Sequence, residues 1–120
     1  MAASGDSVPA IPAALAAEWL EPFLAHLAKE RRYSAYTVRN YRQAWEDFTR
    51  WLQHGTRGGR GYADLTPREL RDYVIEAQRR CDRRTLHNRV SGLRAFFRFW
   101  LQRGRLARDP LTGVPLPKLE

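Results

Sequence analysis

The sequence has a single cysteine, Cys81, among its 120 residues. One cysteine excludes an intramolecular disulfide and any cysteine-rich zinc site. The three histidines, His26, His54 and His87, lie far apart and form no metal-binding or nucleophile motif. We therefore expect no metal, no cofactor and no active site, so the chain is not expected to be an enzyme by itself.

Long apolar runs are also missing. No stretch approaches the ~20 apolar residues that a membrane-spanning helix needs, and the N-terminus lacks the basic region and apolar run of a secretory signal. These features predict a cytoplasmic protein with no membrane partner. Residues 1–12 are small, polar and proline-containing, which predicts a disordered leader.

Acidic residues are few relative to basic ones. The chain has 21 Lys and Arg but only 13 Asp and Glu, a net charge of +8 and a pI of about 10.5. Arginine far outnumbers lysine, which a GC-rich genome would explain equally well, but that bias does not explain the excess of positive charge. A strongly basic domain most often binds nucleic acid, with anionic membrane surfaces second.

Apolar residues recur at helical spacing in four segments, and no segment alternates as a strand does. Ser34 predicts the N-cap of the second helix, and Thr66-Pro67-Arg68-Glu69 predicts a capping box at the start of the third. Glycines predict a flexible loop over Gly55–Asp64. Pro22 leaves two alternatives, a helix that begins just before it or a longer helix that kinks there. The expected helices cover about 13–31, 34–54, 67–80 and 84–103.

The fourth helix combines an apolar stripe with a cationic face. The stripe recurs at steps of three and four and predicts the core side; it consists of Leu86, Val90, Leu93, Phe97, Trp100 and Leu101. The other face has donors at the same spacing: Arg84, His87, Ser91, Arg94 and Arg98.

The second helix has a similar polar face, formed by Arg39, Gln43 and Arg50, with Arg42 at its edge. Thr37 lies near the N-terminus of the helix, where phosphate can bind. Arginine and glutamine read base edges, and serine and arginine hold phosphates. These ten residues of the second and fourth helices are therefore candidate DNA-binding residues. The alternative is that they form the solvated surface of a basic protein.

Three short motifs in order resemble the N-terminal domain of the tyrosine recombinases. Glu30-Arg31-Arg32-Tyr33-Ser34, with Thr37-Val38 and Tyr41-Arg42-Gln43, is similar to the entry of that domain's second helix. Val90-Ser91-Gly92-Leu93-Arg94-Ala95-Phe96-Phe97 is similar to its fourth-helix signature, and Asp109-Pro110-Leu111 through Pro117-Lys118 to its interdomain linker. Within the family the chain is most similar to Xer recombinases of the XerC type, over about residues 19–118.

The resemblance implies an all-α, four-helix SAM-like core-binding domain over residues 13–106. It implies that residues 107–120 are a linker to a catalytic domain, which would contain the catalytic residues. Helices two and four would face the major groove of a recombination half-site in double-stranded DNA, and full-length subunits would assemble with one another, whereas the isolated domain is expected to be monomeric. Gln43 and Asp109 depart from the family pattern, and Gln43 is the one expected to change a base contact.

Two other functions remain open on the sequence. The first is a helical protein-interaction module, for which Trp51 and Phe99, both off the apolar stripes, would form an exposed patch. The second is a regulator with a helix-turn-helix, since the third helix, a four-residue turn and the fourth helix match that plan.

Overall fold

The computed structural model describes residues 10–54 and 61–115. Within these ranges the chain forms four helices and no strand, which confirms the predicted all-α four-helix bundle. Helix α1 comprises Ala13–Leu15, a π-helical turn Ala16–Leu20 and Glu21–Lys29. The other helices are α2 (Ala35–Gln53), α3 (Pro67–Gln78), which a 3-10 turn (Tyr62–Asp64) precedes, and α4 (Arg83–Gln102).

Helix α1 continues across Pro22, so the helix does not begin just before the proline. It is the longer helix, and its regular geometry is interrupted there. The Glu21 N–H donates to the carbonyl of Ala16, five residues earlier, so the turn before the proline is a wide π turn. A π turn at this point accommodates an imino acid that would crowd the preceding turn of a regular helix. On the core side of this turn, the Trp100 indole N–H donates to the Trp19 carbonyl at 3.0 Å and ties α4 to α1.

The starts of the later helices follow local capping chemistry. Ser34 Oγ accepts from the Thr37 N–H at 3.1 Å, and the Thr66 N–H donates to Glu69 Oε1 at 2.8 Å, as the sequence predicted. Helix α4 begins one residue earlier than predicted because Asp82, assigned to a connection, is its N-cap and accepts from the Thr85 N–H at 2.7 Å.

The core lies between all four helices and is rich in aromatic side chains. Trp45, Phe48, Tyr73, Phe96 and Phe97 are essentially fully buried, and their rings meet mostly edge to face. Tight packing of large rings fixes the relative positions of the helices. It therefore also fixes where the polar faces of the helices lie relative to one another.

Trp51 and Phe99 belong to this core, so they do not form the exposed aromatic patch that a protein-interaction module would need. Trp51 is 9% exposed and Phe99 6% exposed. The stripe analysis missed them because a central helix is covered by neighbours on more than one side. The large apolar side chains that are exposed in the described residues are Tyr36 and Ile75.

Residues 107–115, the described part of the predicted linker, fold back onto the bundle. Leu111 and Val114 are buried in the core cluster, Asp109 Oδ1 accepts from the Leu111 N–H, and the Val114 N–H donates to the Leu111 carbonyl. Burial of Leu111 and Val114 drives this segment back onto the bundle. Residues 116–120 lie outside the described ranges.

The expected leader and loop also fall partly outside the described residues. Residues 1–9 of the predicted disordered leader (1–12) and 55–60 of the predicted flexible loop (Gly55–Asp64) lie outside the described residues. At their described ends both segments are packed: Ile11 lies against the core and Tyr62 is buried in it. Among the described residues no helix is both long and apolar enough to cross a bilayer.

Candidate nucleic-acid interface

Helices α2 and α4 approach each other closely at Gly92. A Cβ atom added to Gly92 would lie 2.7 Å from the Cβ of Ala44 on α2, a distance that no ordinary packing allows. The absence of a side chain at this point lets the two helix backbones meet. Polar residues of both helices line two separate grooves around this contact.

The first groove, called here the arginine pocket, holds three of the predicted residues. Ser91, Arg94 and Arg98 of α4 line it, together with Arg31 and Tyr33 from the connection between α1 and α2. It encloses about 260 Å³, room for several water molecules or a phosphate group at ~30 Å³ per water. Its floor includes the half-buried Tyr41 and the buried Phe99 and Phe23.

The arginines of this pocket have no acidic partner among the described residues. Arg94 is half-buried, and its Nε is fully buried without a hydrogen-bond partner in the described chain. Arg31 donates to the Tyr33 hydroxyl at 2.9 Å, a neutral acceptor that leaves the positive charge uncompensated. Burial and the neighbouring Tyr33 raise the pKa of Tyr41, so its hydroxyl keeps its proton. The arginine pocket is therefore a concave, cationic, donor-rich site, suited to an oxyanion.

The second groove, called here the α2–α4 groove, holds Gln43. Gln43 shares it with Tyr36 and Asn40, which lie seven and three residues earlier, respectively, on the same side of α2. The α4 wall consists of Thr85, Asn88 and Arg89. Apart from Gln43, these residues were missed by the sequence analysis, although their helical spacing on each helix was a usable signal.

This groove contains one arginine, Arg89, and one exposed aromatic residue, Tyr36. Arg89 is half-buried, with a fully buried Nε that has no hydrogen-bond partner in the described chain. Tyr36 is 66% exposed at the rim, and the guanidinium of Arg39 lies 5.9 Å from its ring centroid. The groove thus presents amide, guanidinium and aromatic groups, the set that proteins use to contact bases and phosphates.

The remaining predicted residues lie outside both grooves. Arg39, Arg50 and Arg84 are exposed, without an ion pair to any described residue. Arg42 lies toward α1, where it pairs with Glu21 at 3.3 Å. Thr37 is engaged at the helix cap, since its hydroxyl accepts from Ser34 Oγ at 3.0 Å. His87 is half-buried.

Several arginines are occupied by contacts within the bundle. Arg105 pairs with Glu18 at 2.6 Å and lies 4.5 Å from the ring centroid of Trp19. Arg103 lies over the ring of Phe99 at 4.4 Å. The Arg105 contacts hold the segment after α4 against α1, so Arg105 has a structural role that the arginines of the two grooves do not share.

Arg80 makes the most extensive of these contacts. Its NH1 and NH2 donate to Oδ1 and Oδ2 of Asp47, both at 3.0 Å, and its Nε donates to Glu76. Tyr73 Oη donates to the same Asp47 Oδ2 at 2.6 Å. Burial alone would raise the pKa of Asp47, but the hydrogen bonds from Arg80 and Tyr73 outweigh burial and lower it. Asp47 is therefore a charged carboxylate with both oxygens in use.

The side chains that could hold a metal ion and the single thiol of the chain are the remaining candidate reactive groups. Among residues 10–54 and 61–115, no three His, Cys, Asp or Glu side chains come together as a metal site. Cys81 is a half-buried free thiol. The chemistry that these residues offer is recognition of an anionic, acceptor-rich partner.

Comparison with known proteins places the chain in a family. Residues 20–104 match the model of the phage integrase N-terminal SAM-like domain. No solved structure matches the chain.

Similar curated proteins are named tyrosine recombinase XerC. One from Bacillus licheniformis is 35% identical over 83% of this chain and 33% of its own length. Those from Roseiflexus castenholzii and Vibrio cholerae are 36% and 34% identical, over 86% and 94% of this chain and 32% and 36% of their own lengths. The chain thus spans about a third of the length of these relatives. The match to the family model extends from α1 to the end of α4, so the chain belongs to the phage integrase N-terminal SAM-like domain family.

Proposed function

We propose that the chain is the DNA-binding domain of a site-specific tyrosine recombinase, and that α2 and α4 hold one recombination half-site. The domain contributes affinity and position, while strand cleavage and rejoining belong to a catalytic domain of the parent protein. Double-stranded DNA is its ligand, and other recombinase subunits are partners of the full-length protein. The names of the relatives support this role.

The observation that carries the proposal is the arginine pocket. Three arginines line one concavity without an acidic partner in the described chain, and Arg94 has a buried donor with no acceptor there. A buried unsatisfied donor disfavours the free state by roughly 1–3 kcal/mol. A phosphate oxygen placed in the pocket would satisfy that donor and the surrounding charge together. The amide-rich α2–α4 groove would then lie against the same duplex and contact base edges.

The rival functions have less support. The interaction module depended on exposed Trp51 and Phe99, which are buried. In a helix-turn-helix regulator, the helix before the turn also crosses the DNA backbone. Here the turn that follows α3 is instead joined to α2 by the Asp47–Arg80 pair.

The test compares two arginine substitutions that change the net charge equally. Arg94→Gln removes the buried donor of the pocket, and Arg71→Gln removes an exposed arginine of α3. Fluorescence anisotropy with a labelled duplex is expected to show about tenfold weaker binding for Arg94→Gln, because charge-assisted hydrogen bonds contribute about 1.5–3 kcal/mol. Arg71→Gln should change affinity much less. Equal losses, with both thermal melts unchanged, would mean that DNA senses only net charge and would remove α4 from the interface.

A further inference from the structure

We infer that Arg80 is a positioning residue of the DNA site: by occupying both oxygens of Asp47, it keeps Arg89 unpaired in the α2–α4 groove and available to a backbone phosphate. This inference rests on the proposed function. It assigns a role in binding to an arginine that is paired with Asp47 and Glu76 and does not itself line the groove.

The first step is the location of Asp47. It follows Gln43 by one helical turn on α2, so it continues the row of side chains that lines the α2–α4 groove. Its side chain is 23% exposed. A carboxylate this close to a groove proposed to bind phosphate would repel the ligand or neutralise a nearby arginine unless it were already paired.

The second step is the geometry of the pair. Arg80 meets Asp47 as a two-pronged fork, with both N···O distances at 3.0 Å, and Glu76 fixes the other edge of the guanidinium through Nε. Planar, bidentate pairing is the strongest arrangement of these two groups. Because both Asp47 oxygens already accept hydrogen bonds from Arg80, a second cation would gain little by pairing with this carboxylate.

The third step is the state of Arg89. It lines the same groove from α4, its charge is close enough to act on Asp47, and its buried Nε has no hydrogen-bond partner in the described chain. Without Arg80, a half-buried carboxylate would be left uncompensated, and such groups recruit the nearest cation. Arg89 is that cation, and pairing with Asp47 would withdraw it from the groove.

The experiment is a double-mutant cycle on the 120-residue chain. Arg80→Gln is expected to weaken binding to a nonspecific duplex about tenfold, since the Arg89 contact is lost, and to reduce the slope of log K on log salt by about 0.9, one phosphate. Arg80→Gln with Asp47→Asn removes the competing carboxylate and should restore affinity and slope. Arg79→Gln, an exposed neighbour with the same charge change, is the control.

A second readout needs no DNA. The Nε–H resonance of Arg89, assigned by its loss in Arg89→Gln, should shift in Arg80→Gln and return in the double variant. An unshifted resonance overturns the inference, as does an Arg80→Gln affinity equal to that of Arg79→Gln. A loss that Asp47→Asn does not reverse would assign Arg80 a direct or purely structural role instead. If the unmodified chain binds no duplex, the proposed function itself fails, and the resonance separates that result from failure of the pairing.

Discussion

At the scale of single residues, Asp47 links stability to pH. Its folded-state pKa is lowered below the ordinary value of 3.8, with burial opposing and the hydrogen bonds from Arg80 and Tyr73 prevailing. The carboxylate therefore stabilises the fold above about pH 4, and this stabilisation disappears as the pH falls through the lowered folded-state pKa.

Asp47→Asn is thus expected to reduce the free energy of unfolding at neutral pH by roughly 1.5–3 kcal/mol, the contribution of hydrogen bonds to a charged group. The difference from the unmodified chain should shrink as the pH falls from about 4 to 2. Urea unfolding at a series of pH values measures both quantities. Asp72→Asn, an exposed acid of α3, is the matched control and should have a small effect. A difference that stays constant down to pH 2 would show that the Asp47 charge is not what stabilises the fold.

At the scale of helices and segments, the contact between α2 and α4 depends on the pairing of Gly92 with Ala44. Gly92→Ala gains up to about 1 kcal/mol of helix propensity. The added Cβ would nevertheless lie 2.7 Å from the Cβ of Ala44, and overpacking of this kind costs typically 1–3 kcal/mol. We expect net destabilisation, because two helix backbones must separate to relieve the overlap.

The compensating variant makes this prediction specific. Gly92→Ala combined with Ala44→Gly restores the space on the opposite helix, so its melting temperature should exceed that of Gly92→Ala alone. The single variant Ala44→Gly is the reference for the lost propensity in α2. A Gly92→Ala protein more stable than the unmodified chain would mean that the helices separate readily at this contact.

The elements that the sequence predicted well are those with local causes. Caps such as Ser34 and Thr66 act on backbone groups within three residues, and the apolar stripes repeat within each helix. What the sequence did not reveal depends on distant partners. Arg80 and Asp47 are 33 positions apart, and the return of Leu111 to the core requires a surface built by other helices. For the same reason, ten candidate residues could be named, but not which four of them line the two grooves.

At the scale of the whole molecule, net charge and its distribution act together. The chain has a net charge of +8, yet Arg42, Arg80 and Arg105 are paired with carboxylates of other segments at the bundle surface. The unpaired arginines of α2 and α4 therefore supply most of the charge proposed to meet DNA. Acidic side chains thus neutralise these three arginines, while the arginines that line the two grooves have no ion pair with a described acid.

This distribution predicts how affinity varies with salt. If about five phosphates are neutralised, log K for a nonspecific duplex should fall with log salt at a slope of about −4 to −5, because bound arginines release condensed counterions. Anisotropy titrations from about 50 to 200 mM salt measure it, and the slope of Arg94→Gln should be smaller by about 0.9 while that of Arg71→Gln changes less. An affinity independent of salt would contradict an electrostatic interface and would favour a protein partner, since apolar protein contacts persist where counterion release does not contribute.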